Sequence, residues 1–145
     1  MRSIYKRTID NVIDLLTDTL SNNQRRIGGD RGWHQHIGTK KIGVPASAIA
    51  LLHYKYLGKD CPMQEEVLTF IKSKQNQDGG WPYISNTQSI SNTESTCWAL
   101  LALNEYQGTK ETKLIDNGVE WLIGIKCRDK NDSGWPFVKG DEPRN

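Results

Sequence analysis

The sequence predicts an all-α protein built from helix-pair units of about 50 residues. Three observations predict it. Gly-Trp recurs as Gly32-Trp33, Gly80-Trp81 and Gly134-Trp135, in a chain with five tryptophans and two phenylalanines. Gln24, Gln75 and Lys126 stand 51 residues apart, twice over, each four residues after an apolar Leu20, Ile71 or Leu122. Stretches with a three-to-four-residue apolar period alternate with stretches that are apolar almost all round.

The first amphipathic helix carries Tyr5, Ile9, Val12, Ile13, Leu16 and Leu20, with Lys6, Arg7, Asp10, Asp14 and Asp18 between them. A polar, glycine-bearing loop follows from Gln24 to Trp33. The apolar run Ala46–Tyr54 then predicts a buried helix stopped by Gly58. In the second unit Met63, Val67, Phe70 and Ile71 form the stripe, with Pro62 suited to a first helical turn and Glu65 and Glu66 to the positive helix end. After the Gln75–Trp81 loop, Thr96–Leu103 predicts a second buried helix, capped by Asn92, Thr93 or Ser95 and stopped by Gly108. Leu114, Ile115, Trp121, Leu122 and Ile125 make the third amphipathic stripe. No strand-like alternation of useful length is found. The chain reads as one domain, 1–145, with units of about 1–58, 59–108 and 109–145, the last without its inner helix.

With 145 residues, 19 basic and 17 acidic, the chain is long enough for one core, and its near-neutral balance speaks against nucleic acid. No apolar run reaches the roughly 18 residues of a membrane span, and the polar start lacks a secretory signal. Cys61, Cys97 and Cys127 are odd in number and show no Cys-x-x-Cys spacing, so reduced thiols and a cytoplasmic setting are expected, with no metal or cofactor. His34-x-His36 is a loop pair with no third ligand near it in sequence.

Phe70-Ile71, Gln75 and Gly79-Gly80-Trp81 resemble the QW repeat of squalene–hopene and oxidosqualene cyclases: an aromatic, Leu or Ile, three residues, Gln, a spacer and Gly-x-Trp. The third unit keeps Trp121-Leu122 but has Lys126 for Gln and Ser133 for the first Gly; the first keeps Leu20 and Gln24 but has Arg31 before Gly32-Trp33. Prenyltransferase β subunits carry related repeats, and the resemblance runs along essentially the whole chain. It implies an arc of an α/α toroid in which Gln24, Trp33, Gln75, Gly79, Trp81 and Trp135 are structural corners, each tying an amphipathic helix to the start of a neighbouring inner helix. Such toroids need more helix pairs than this chain has. A longer chain, or another copy, is therefore expected to complete the wall at helix 112–127, where Trp121, Leu122 and Ile125 would otherwise lie open.

The resemblance also implies an aromatic-lined pocket for an apolar, isoprenoid-like ligand, with Trp98, Tyr54, Tyr56 and Tyr83 as candidate lining. Class II terpene cyclases protonate their substrate with the middle Asp of Asp-x-Asp-Asp-Thr. Asn92-Thr93-Glu94-Ser95-Thr96 places Glu94 at that acid, while Asn92 and Ser95 replace the flanking carboxylates. Protonating an alkene takes an unusually strong acid held by its neighbours, so catalysis by this chain alone is not expected. The prenyltransferase zinc set and the thioester motif of complement-type domains are both absent from the sequence. Some carbohydrate-active (α/α) toroids also carry turns like Gly79-Gly80-Trp81-Pro82, and a glycosidase needs two opposed carboxylates; Asp30, Asp78 and Asp132 recur in the Gly-Trp loops, but their recurrence suits turn chemistry. The alternative to the ligand-binding reading is a non-catalytic repeat module that binds a protein or peptide, and a third is a fragment of a carbohydrate-active (α/α) toroid.

Overall fold

The computed structural model describes residues 2–36, 39–84, 89–107, 112–126 and 134–139. Its elements run α1 (Arg2–Asn23), β1 (Gln24–Ile27), β2 (Asp30–Trp33), α2 (Val44–Tyr56), α3 (Gln64–Ser73), α4 (Thr93–Gln107) and α5 (Thr112–Ile125).

The strands correct the fold class. β1 and β2 pair antiparallel, with Gln24 opposite Trp33 and Ile27 opposite Asp30. Further single bridges join His34 to Ile42, Gly43 to Ile84, Pro82 to Ser91 and Asn92 to Val138. The protein is therefore mixed α/β, and the all-α toroid arc does not stand. The physical reason lies in loop length. Trp33 follows Gln24 by nine residues, whereas Trp81 follows Gln75 by six. The longer excursion leaves backbone N–H and C=O groups that must find partners, and they find each other across a two-residue Gly28-Gly29 turn. Gly28 takes φ +61°, the left-handed conformation such a turn demands.

The core lies where α2 packs against α4 and α3 closes on α2 and β2. α2 buries Val44, Ala48, Leu51 and Leu52, and α4 buries Ala99, Ala102 and Leu103. α3 inserts Val67, Leu68, Phe70 and Ile71, whereas Met63, expected in that stripe, is exposed before the helix starts. α2 has no side-chain cap on Gly43; instead Gln35 Oε1 accepts the Ala46 N–H at 3.3 Å, a partner supplied by tertiary contact. α4 is capped by Asn92, whose Oδ1 accepts the Ser95 N–H at 2.9 Å. Gly58 ends α2 at φ +62°, while the expected stop at Gly108 lies outside the described residues.

The two edges are the reverse of what their composition suggests. On α5, Trp121 and Ile125 are buried; Leu122 is half-buried, and the exposed apolar residues are Val119 and Ile123. On α1, Ile9, Val12, Leu15 and Leu16 are exposed, while Thr17, Leu20 and Ser21, together with an Asp14–Lys59 ion pair, tie the helix to the rest of the protein. The side chain of Tyr5 lies outside the described residues. No described helix is long and apolar enough to cross a membrane.

Candidate functional site

The three Gly-Trp segments use the same tie. The indole N–H of Trp33 donates to the Leu20 carbonyl at 2.8 Å, that of Trp81 to Ile71 at 2.8 Å, and that of Trp135 to Leu122 at 2.9 Å. These acceptors are the apolar residues four positions before Gln24, Gln75 and Lys126. Each tie adds a bond to a carbonyl near a helix C-terminus; the Ile71 and Leu122 carbonyls also accept the backbone N–H of Lys74 and Lys126.

The glutamines reach a different target from the one the resemblance implied. Gln24 Nε2 donates to the Pro62 carbonyl at 2.7 Å, and Gln75 Nε2 to the Leu114 carbonyl at 2.8 Å. Both acceptors stand at the start of the next amphipathic helix, not an inner one. The inner helices are held through the tryptophan backbone instead. The Trp33 N–H donates to Ser47 Oγ and the Trp81 N–H to Thr96 Oγ1, while their carbonyls accept from Gly43 and Asn92. One unit then locks the previous one: Val44 N–H donates to the Tyr83 carbonyl and Thr93 N–H to the Phe137 carbonyl. Each acceptor lies two residues after its Gly-Trp.

Gly79, at φ +93°, passes so close to α5 that a Cβ would sit 2.6 Å from the Asn117 carbonyl oxygen. Beside it the Asp78 carboxylate accepts from the Gly80 N–H, Ser91 Oγ and the Trp121 indole at 2.7–3.1 Å. Asp30 pairs with Lys74 at 2.8 Å. Both loop carboxylates are thus engaged in holding structure; Asp132 lies outside the described residues.

The four aromatics proposed as lining occupy different settings. Tyr54 is in the core, its hydroxyl 2.7 Å from Ser21 Oγ. Tyr56 is 69% exposed at the end of α2. Tyr83 lies against His36 with ring centroids 5.7 Å apart. Trp98 is half-buried on α4. Two residues that sequence reasoning missed matter more. Ile49, seven residues before Tyr56, is exposed on α2, and Leu101, three after Trp98, is exposed on α4. α2 thus keeps Ile49 and Tyr56 exposed, and α4 keeps Leu101 exposed beside the half-buried Trp98. The signal was present in the sequence, but on helices apolar all round it carries no contrast.

Glu94 is exposed in the first turn of α4. Of its neighbours, Asn92 is committed to the helix cap and Ser95 is buried with its hydroxyl unpaired, so no described group orders a strong acid there. Burial pushes the Cys61 thiol up to about 12 and raises Cys97 as well, so neither is an activated thiolate. Cys127 lies outside the described residues. Among the described residues no group of three His, Cys, Asp or Glu side chains is placed to hold a metal ion.

No protein-family model matches the chain. Squalene–hopene cyclase of Zymomonas mobilis subsp. mobilis is 26% identical over 102 residues, which takes in 64% of this chain and 15% of that enzyme. The chain thus spans well under a fifth of that relative's length, and it is similar to a squalene–hopene cyclase along part of its own.

Proposed function

We propose that the chain is a terpene-cyclase-like repeat segment whose α2–α4 face receives an apolar, isoprenoid-like chain, with no proton-donating chemistry of its own. The observation that carries this reading is the apolar surface left exposed on the two helices that are otherwise the most buried, Ile49 and Tyr56 on α2 and Leu101 beside the half-buried Trp98 on α4. Apolar surface exposed on core helices is stabilised by covering it, at about 25 cal/mol per Å². An aromatic face among aliphatic side chains suits an unsaturated hydrocarbon. The similarity to a squalene–hopene cyclase supports the same ligand class. Farnesol titrated into the purified chain should quench tryptophan emission saturably, and Leu101→Glu should abolish the response while the fold is retained by circular dichroism. An unchanged response in Leu101→Glu and in Ile49→Glu would place the ligand elsewhere.

A second reading, a module that binds a protein or peptide, is favoured by the exposed Ile9, Val12 and Leu16 of α1. The chain edge at 112–127, with Val119 and Ile123 open, is a further surface for self-association. Sedimentation of the wild type beside Val12→Glu and Ile123→Glu separates these surfaces.

A further inference from the structure

The two outer sides of the β1–β2 hairpin are electrostatically unlike. One side opens on a cleft in which Arg26 is accompanied by the carboxylates of Asp30, Glu65 and Glu66. The other opens on a cleft of about 450 Å³ ringed by Arg25, His34, His36 and Lys40 over the edge of Trp33, with no carboxylate among its described lining. Arg25 and Arg26, neighbours in β1, each line only one of the two clefts.

We propose that the Arg25 cleft binds a phosphate group carried by a small ligand with an aromatic or apolar body. Its volume falls within the roughly 300–1,000 Å³ of small-molecule sites. Arg25 is held in place, its Nη1 donating to the Asn22 and Gln24 carbonyls at 2.8 and 2.9 Å. A guanidinium has five N–H donors in a rigid fork, so these bonds orient it without exhausting it, and the fork matches the oxygens of a phosphate. The cleft's second fixed charge is Lys40, on the far side of the loop that returns from β2. Cations of one sign in a concavity without a counter-charge focus the field on whatever anion enters. The His36–Tyr83 ring pair beside it offers an aromatic surface for the body of the ligand. This inference is independent of the apolar face on α2 and α4.

The test is proton NMR of the full chain, read at its three histidine rings, with phenyl phosphate as the probe at constant ionic strength set by chloride. His34 and His36 should shift saturably, while His53, half-buried and bonded to Thr17 away from this cleft, should not. Arg25→Gln and Lys40→Gln should each weaken binding about tenfold, the loss of one charge-assisted contact. Arg26→Gln, in the other cleft, should leave it unchanged. Lys40 is exposed, so its variant tests the site even if Arg25→Gln disturbs the end of α1. A parallel titration with phosphatidylcholine vesicles, with and without phosphatidic acid, identifies the source of the phosphate; a response to the acidic vesicles alone assigns it to a lipid headgroup. Shifts that chloride reproduces, or that survive in the Arg25→Gln/Lys40→Gln double variant, or no response to either probe, overturn the proposal.

Discussion

The first and second corners make the same hydrogen bonds with different lengths of chain. In both, the indole closes on the carbonyl four residues before the glutamine, the glutamine amide reaches the next amphipathic helix, and the tryptophan N–H finds a hydroxyl of the inner helix. The second corner does this in six residues and the first in nine. The short version is drawn tight: Gly79 touches α5, and Asp78 gathers Gly80, Ser91 and Trp121. The long version puts its surplus into a hairpin, where Arg31 Nε donates to Gln24 Oε1 at 3.0 Å and so satisfies the acceptor of the corner amide. A corner of this kind is defined by its terminal bonds, and the intervening chain adapts.

The largest expected effect breaks the comparison at its anchor. Trp81 is 0% exposed and Trp33 5%, whereas Trp135 is 48% exposed although its indole makes the same bond. Trp81→Ala should destabilise by about 3–5 kcal/mol, Trp33→Ala by nearly as much, and Trp135→Ala by under about 1 kcal/mol. Urea unfolding of the three variants measures this; equal losses at Trp81 and Trp135 would mean that the shared bond, not burial, sets the energy.

A smaller effect separates the tight corner from the loose one. Gly79→Ala meets both a left-handed φ and the Asn117 carbonyl, and should destabilise by about 2–4 kcal/mol. Gly28→Ala has open space around it and meets only the backbone penalty, about 1–2 kcal/mol. Asn at position 28 should recover part of that loss, since Asn tolerates this conformation. If Gly28→Ala proves the costlier, the hairpin is the more constrained region.

The smallest effect concerns pH, where the first corner meets the second unit. Cys61 lies beside Pro62, the acceptor of Gln24, and Tyr106 donates to the Leu51 carbonyl in α2. Burial pushes Cys61 and Tyr106 each up to about 12, from ordinary values of 9.0 and 10.0. Above pH 9 the unfolded chain gives up these protons before the folded one does, so it binds fewer, and stability falls as pH rises from about 9 towards 12. Below pH 9 their contribution is fully present. Thermal melts from pH 8 to 11 should show this decline, shallower in Tyr106→Phe; a flat profile in the wild type would contradict it.

Much of this was legible in the chain. The 51-residue recurrence of Gln24, Gln75 and Lys126 marks the three places where an indole meets a helix end, because the tie is local and its partners lie within one unit. Helix periodicity located α1, α3 and α5 for the same reason. The hairpin had a signal too, Gly28-Gly29 between Ile27 and Asp30, but four-residue strands are too short for alternation to speak. The rest depends on contacts between units. No local pattern tells that Trp121 is covered by the Gly79-Gly80 turn and Asp78 while Ile9, Val12 and Leu16 stay open, since both stripes have the same period. Nor does charge along the chain reveal that Arg25 and Arg26 line different clefts, one with carboxylates and one without among its described lining. Sequence by itself determined where the helices and their ties lie, because those follow from short-range hydrogen bonds and side-chain period. Which surfaces are buried, open or charged was decided only by tertiary packing, because burial is a property of what arrives from elsewhere in the chain.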